Sequence, residues 1–370
     1  MTSLSDLPVR DDLRGRRPYG APQESVPVAL NVNENTHPVP AEVAEDITRS
    51  VAEALRSVNR YPDREFTQLR EGFAAYLGHG LSAEQIWAAN GSNEVLQHIL
   101  QAFGGPGRSL MSFTPSYSMY PLLASGTGTR WIGVPRESDY TIDPVVAADA
   151  VRAEDPTLVF LCSPNNPTGT PLRLETIEAV YAASRGIVVV DEAYAEFAAA
   201  GTASALALLP GRERLIVSRT MSKAFSFAGA RVGYLAADPA VIDALRLVRL
   251  PYHLSALTQA AALAALRHAP LMLAAVADIV VQRDRIERRL AELGYRVHPS
   301  ASNFVLFGAV PEPRALFEAL LERGILIRDV GIPEHLRVTA GTQEETTAFL
   351  EAMTELSARP EFGPLARLEA

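Results

Sequence analysis

Three apolar runs in the middle of this chain each stop abruptly at a cluster of polar residues, and that pattern constrains the fold more than any other feature. Leu158-Val-Phe-Leu-Cys162 leads into Ser163-Pro-Asn-Asn-Pro-Thr-Gly169. Ile187-Val-Val-Val190 leads into Asp191-Glu-Ala-Tyr194, and Leu215-Ile-Val-Ser218 into Arg219-Thr-Met-Ser-Lys223. Short continuous apolar runs rich in β-branched residues read as strands buried on both faces, as in a parallel sheet covered by helices. Open α/β sheets bind ligands in the crevice at the carboxyl ends of their strands. Three successive strands are therefore predicted to feed one site.

From about Val32 to Leu250 such runs alternate with helical patterns, as in βαβ units. Before them lies an arm with many Pro and Arg and little periodicity. After Pro251, Ala/Leu/Arg-rich helices are predicted over 255–266 and 272–293. Short strands follow at 295–298, 304–307 and 336–339, as in a smaller α+β lobe. The expected class is α/β, with an arm (1–31), a large domain on a mostly parallel sheet between helices (32–250) and a small C-terminal domain (251–370). A length of 370 residues suits about two domains.

The formal charge of −9 argues against a broad basic face for nucleic acid or membrane surfaces. A small anion is still allowed, since it answers to local arginines and helix ends. Cys162 is the only cysteine, so no intrachain disulfide forms and a reducing compartment fits. The N-terminal residues lack the apolar stretch of a secretory signal, and the Ala-rich segment 257–277 is punctuated by Arg267 and His268. A cytoplasmic protein is expected, with no metal site.

Each polar residue has an ordinary alternative. Asp191, at the end of a buried strand, needs a partner to offset its desolvation; it either caps the next helix or faces a protonated ring nitrogen. Lys223 is either a solvated lysine near a helix start or an amine whose small, apolar neighbours depress its pKa for imine chemistry. Arg231 is a strand-edge arginine or a fork of donors for a phosphate. Asn166 sits in a Pro/Asn/Gly segment that turns unaided. Ser92 precedes the helical stripe Val95, Leu96, Ile99, Leu100 and Phe103, so it is a plausible N-cap with an anion site in the amides beyond it.

Taken in order, Ser-Pro-Asn-Asn-Pro-Thr-Gly, Asp191-x-x-Tyr194, Ser222-Lys223 and Arg231 resemble the signature of the fold-type I, pyridoxal-5′-phosphate (PLP) dependent aminotransferases of classes I and II. The resemblance runs over essentially the whole chain. It implies that Lys223 carries the cofactor covalently and later shuttles a proton, while Asp191 pairs the pyridine nitrogen. Asn166 and Tyr194 would hydrogen-bond the phenolic oxygen, and Tyr117 would stack on the ring. Ser222, Arg231 and the amides around Ser92 and Asn93 would hold the phosphate. Tyr61 matches a tyrosine that reaches the phosphate from a neighbouring subunit, which implies a homodimer with shared sites.

Within that superfamily the chain is most similar to the histidinol-phosphate aminotransferase family. The segments that carry this are residues 16–23 (RRPYGAPQ), 30–35 (LNVNEN), 249–255 (RLPYHLS), 302–307 (SNFVLF) and 325–331 (ILIRDVG). Thr36 departs from the family's usual proline. The implied reaction exchanges an amino group between L-histidinol phosphate and 2-oxoglutarate. One site must then accept a phosphate monoester and a dicarboxylate in turn, a task suited to guanidinium forks. Arg337 fits the family's acid-gripping arginine, with Arg328 and Tyr19 beside it; Arg328 alternatively pairs with Asp329 at the surface. Tyr252 and His253 are possible partners for the imidazole. Aromatic-amino-acid aminotransferases and threonine-phosphate decarboxylases share the fold and stay open as rivals. A PLP-sensing transcription regulator would need a DNA-binding domain ahead of residue 32, and none is read there.

Overall fold

A computed structural model describes residues 3, 6–15, 18, 20 and 22–365. The strands, in chain order, are β1 (Val28–Ala29), β2 (Ile86–Ala89), β3 (Ser109–Thr114), β4 (Arg130–Pro135), β5 (Leu158–Cys162) and β6 (Ile187–Asp191). They continue with β7 (Leu215–Thr220), β8 (Gly233–Ala237), β9 (Arg296–His298), β10 (Phe304–Gly308), β11 (Ile325–Leu326) and β12 (Leu336–Thr339). The helices begin with α1 (Ala41–Leu55), α2 (Thr67–Leu77), α3 (Ser92–Phe103), α4 (Met119–Gly126), α5 (Pro144–Glu154) and α6 (Leu174–Ala183). They end with α7 (Pro239–Val248), α8 (Ala256–Arg267), α9 (Ala269–Met272), α10 (Ala274–Glu292), α11 (Pro313–Leu321) and α12 (Gln343–Leu356).

Seven strands form the main sheet in the order β2-β8-β7-β6-β5-β3-β4, and only β8 runs against the others. The predicted runs are its centre. Every residue of β5 is buried, as are Val188–Asp191 of β6, because helices cover both faces. Register places the site: Cys162 lies beside Asp191, and Asp191 beside Ser218. The polar clusters that follow β5, β6 and β7 therefore emerge at one edge of the sheet, as the alternation of runs and clusters predicts.

A second sheet, β12-β10-β9, is antiparallel. Two features cross the expected boundaries. Val28–Ala29 of the arm pairs in parallel with Ile325–Leu326, so the arm's last residues are strand rather than irregular chain. Helix α8, beyond Pro251, packs on α1 and α2. The helix expected over 272–293 is interrupted at Leu273, and Pro270 opens the short α9 ahead of it. No single helix among the described residues is long and apolar enough to cross a membrane; α8 and the segment Ala269–Glu292 meet at 87°.

Local signals start the helices where the site needs them. Asp143 and Asp238 cap α5 and α7 ahead of a proline, and Thr342 with Glu345 forms a capping box on α12. The docking of α3 on β8 depends on Gly233, where a Cβ would sit 2.2 Å from Ser92 N and 2.3 Å from Gly91 C, both backbone. Gly233→Ala is expected to push the start of α3 off the sheet, at a cost of roughly 1–3 kcal/mol. Thermal unfolding and cofactor retention should fall together; an unchanged midpoint with normal retention would contradict this packing.

Candidate active site

The strand ends open into a cavity of about 570 Å³, within the usual range for a small-molecule site. Its floor includes Asp191, Tyr194 and Lys223 from the main sheet, and Arg328 and Arg337 close it from the second lobe.

Asp191 is the last residue of β6 and is 3% exposed. Oδ2 accepts the Tyr120 hydroxyl at 2.9 Å and Oδ1 the Ser218 hydroxyl at 3.1 Å. Among the described residues no cation forms an ion pair with it. Burial pushes its carboxyl up to about 6, against the lowering effect of those two hydroxyls. The capping alternative fails: the next element is a single 3-10 turn, Ala195–Phe197, whose N-cap is Tyr194 and which no side chain caps. The neighbouring charges are self-contained, since Arg219 bridges Glu192 at 2.8 Å and Glu196 at 3.3 Å. Asp191 is left as a buried carboxylate facing the cavity without a counter-charge.

Three residues later, the Tyr194 hydroxyl accepts Asn166 Nδ2 at 3.3 Å and Asn33 Nδ2 at 2.9 Å. Asn166 does lie in a turn, with Gly169 N–H donating to Asn165 O at 2.7 Å, but the turn explains only its backbone. Its side chain is buried, and its Oδ1 accepts Arg337 Nη1 at 2.6 Å. Arg337 is 6% exposed, donates through Nη2 to Asn31 O at 2.8 Å, and lies over the Phe304 ring. Burial pushes Tyr194 up to about 12, so its phenol stays protonated.

Lys223 follows β7 in a turn rather than at a helix start. It is the sole lysine of the chain, a compositional signal independent of the motif around it. Its Nζ donates to Val32 O at 3.0 Å. Burial first, then Arg337 and Arg231, bring the amine down to about 8, with Glu34 opposing. Such an amine is partly neutral, and hence nucleophilic, near physiological pH.

The anion end of the cavity corrects one expectation. Gly91, not Ser92, is the N-cap of α3. Its φ of +85° favours glycine, and a Cβ there would lie 2.2 Å from Arg231 Nη2. Ser92 therefore opens the helix, where the first N–H groups have no acceptor within the preceding turn. Arg231 Nη1 reaches Ser222 Oγ at 3.4 Å. Tyr117 lines the same space and donates its hydroxyl to Asn93 Oδ1 at 3.1 Å.

Other predicted residues fall elsewhere. Tyr61 is 80% exposed and stacks on Tyr252 with centroids 4.4 Å apart, outside this chain's cavity. His253 stacks on Trp87 and donates Nε2–H to Ala88 O at 2.8 Å, so it does not face the cavity either. Arg328 makes no ion pair with Asp329, whose Oδ1 accepts Gly331 N–H; the surface-pair alternative is thus not what the structure shows. Arg328 instead bridges backbone to backbone with Arg337, N···O 2.9 Å in both directions. Tyr19 lies outside the described residues. Tyr120, Ser218 and Asn33 were not anticipated. Tyr120 falls on the helix just after Tyr117, but nothing local marks the other two.

One cavity is thus lined by a carboxylate without a cation among the described residues, a cluster of anion donors and a desolvated amine. PLP, with a cationic ring nitrogen, an aldehyde and a phosphate, fits that donor set. This sheet and site define a fold-type I PLP-dependent enzyme. The profile of the family "Aminotransferase class I and II" matches residues 26–353. The chain is 64% identical to a histidinol-phosphate aminotransferase of Paenarthrobacter aurescens (strain TC1), over 95% of this chain and 96% of that protein. It is 58% identical to one of Thermobifida fusca (strain YX), over 96% and 97%. The crystal structure of the histidinol-phosphate aminotransferase from Sinorhizobium meliloti in complex with pyridoxal-5′-phosphate superposes with a TM-score of 0.81 at 26% identity, covering 93% of this chain and 92% of that one. The chain belongs to the class I and II aminotransferases and, within them, to the histidinol-phosphate aminotransferase family.

With one lysine present, the attachment chemistry is open to a clean test. Cofactor-free protein mixed with PLP and trapped by borohydride should label Lys223 at a rate that rises with pH through about 8. Lys223→Ala should abolish the label. A rate still climbing through the ordinary lysine range near pH 10.4 would show that the amine is not desolvated.

Proposed function

We propose that this enzyme transfers an amino group between L-histidinol phosphate and 2-oxoglutarate, giving imidazole-acetol phosphate and L-glutamate, a step of histidine biosynthesis. When bound, PLP supplies the carbonyl that takes up the amino group and the electron sink that stabilises negative charge at the substrate carbon. The protein's residues divide the remaining work. Lys223 attaches the cofactor and moves the proton at the substrate carbon. Asp191 supplies the negative charge that keeps the ring nitrogen protonated, and Tyr194 and Asn166 hold the phenolic oxygen. Ser222, Arg231 and the amides of Ser92 and Asn93 take the phosphate, while Tyr117 covers the ring.

The observation that supports the substrate reading best is the pairing of Arg337 with Arg328. Residues directly opposite in an antiparallel bridge send their side chains to one face. Two guanidinium forks on one wall of the cavity suit a phosphate dianion in one half-reaction and a dicarboxylate in the other. Tyr19 is proposed to add a hydroxyl. We further propose a cytoplasmic homodimer in which Tyr61 reaches the phosphate of the neighbouring subunit, and the division into arm, large and small domains given above. The exposed Tyr61–Tyr252 stack supports the first reading; the β1–β11 pairing and the seat of α8 blur the domain boundaries.

Arg337→Ala is expected to lower kcat/KM for both half-reactions. Each charge-assisted hydrogen bond lost costs about 1.5–3 kcal/mol, so a bidentate pair corresponds to roughly a hundredfold or more. Wild-type enzyme should use histidinol phosphate far better than phenylalanine. Should phenylalanine prove the better donor, the aromatic aminotransferase reading replaces this one.

A further inference from the structure

Strand β12 holds Tyr194 through two asparagines at once. Arg337 and Thr339 lie two residues apart and so share one face of the strand. Arg337 donates to Asn166 Oδ1 at 2.6 Å, and the Thr339 hydroxyl donates to Asn33 Oδ1 at 3.1 Å. With both amide oxygens engaged, both amide nitrogens turn to the same atom, the Tyr194 oxygen, at 3.3 Å and 2.9 Å. Asn33 is tied further: its N–H donates to Thr339 Oγ1 at 3.1 Å, and Asn303 Nδ2 donates to its carbonyl at 3.0 Å. Its φ is +58°, a conformation that Asn, Asp and Gly tolerate best.

A neutral phenol has two acceptor sites and one proton. Two N–H donors fill the acceptor sites, so the proton has to find an acceptor elsewhere. We propose that Asn33 is a positioning residue: fixed by Thr339, it donates to Tyr194 and thereby commits the phenolic proton to an acceptor inside the cavity. When PLP is bound, that acceptor is its phenolic oxygen. The inference rests on the PLP site but not on the identity of the amino donor. Asn33, just beyond the arm, thus joins β12 to a side chain 161 positions away.

The test reads the visible absorbance of the bound cofactor against pH, not turnover. A donor on the phenolic oxygen stabilises its anionic form, so losing that donor raises the pH midpoint of the absorbance change. Asn33→Asp keeps the shape and the backbone conformation but presents only acceptors, and it captures the phenolic proton. The midpoint should rise by at least about one pH unit, the equivalent of a tenfold equilibrium change. An added carboxylate also acts through its charge, so the same substitution is made beside Tyr194→Phe. There the rise should be smaller, because only the charge effect remains. The other titratable and charged groups facing Tyr194, namely Arg337, Cys162 and Asp191, are unchanged throughout.

Asn33→Gly, suited to the positive φ, removes the amide without adding charge. It should raise the midpoint by less, and only while Tyr194 is present; this variant decides the matter if Asn33→Asp binds no cofactor. Equal shifts with and without the Tyr194 hydroxyl, or a lowered unfolding temperature with no shift at all, would reduce Asn33 to packing and overturn the proposal. Wild-type protein that took up no PLP would overturn the class assignment as well. A wrong amino-donor preference would touch the proposed reaction alone.

Discussion

A carboxylate at the end of a fully buried parallel strand is costly unless a cation joins it, and Asp191 has none among the described residues. Its cost is softened by two hydroxyls, Tyr120 and Ser218, and by partial protonation near pH 6. The sign of the linkage follows. A carboxyl whose folded pKa is raised contributes stability below the unfolded value near 3.9, and that contribution is lost as pH rises through about 6. At neutral pH the cofactor-free protein therefore carries an uncompensated buried anion. On the proposed reading, a ligand with a protonated ring nitrogen would relieve that cost, which would then appear as affinity for the cofactor.

The rest of the cavity is arranged around that charge. Burial, Arg337 and Arg231 disfavour protonation of Lys223, while Arg231 and the start of α3 gather positive potential in the same cavity. A cofactor with a cationic nitrogen at one end and a phosphate at the other has one favourable orientation in such a field. The neighbouring Glu192–Arg219–Glu196 cluster closes on itself and fixes the turn between Asp191 and Tyr194 without cancelling the charge of Asp191. Strand β12 then ties the Arg337 guanidinium to the Tyr194 phenol through Asn166, so the second sheet and the main sheet meet at a single oxygen.

What the sequence makes legible follows the range of the forces involved. Strands β5, β6, β7 and β12 are readable because continuous apolar or β-branched runs encode burial locally. The convergence of their polar ends follows from parallel topology alone. The start of α3 was misplaced by one residue: serine is a good cap by local propensity, but the close approach of Arg231 and a positive φ demand glycine. Asn33, Tyr120 and Ser218 escape sequence reasoning because their partners lie 161, 71 and 27 positions away. The break at Leu273, between α9 and α10, is not something helical periodicity reports. Lys223 was more legible than its motif suggested, since a chain that uses arginine at every other long-cation position keeps one lysine only.

The rest of the proposed site depends on Asp191 holding a positive charge on the cofactor ring. Nitrogen-15 magnetic resonance of holoenzyme reconstituted with ring-labelled PLP reads that charge directly. The account predicts a protonated ring nitrogen at neutral pH in the wild type and its loss in Asp191→Asn. An unprotonated ring nitrogen in the wild-type enzyme would contradict the account at its base.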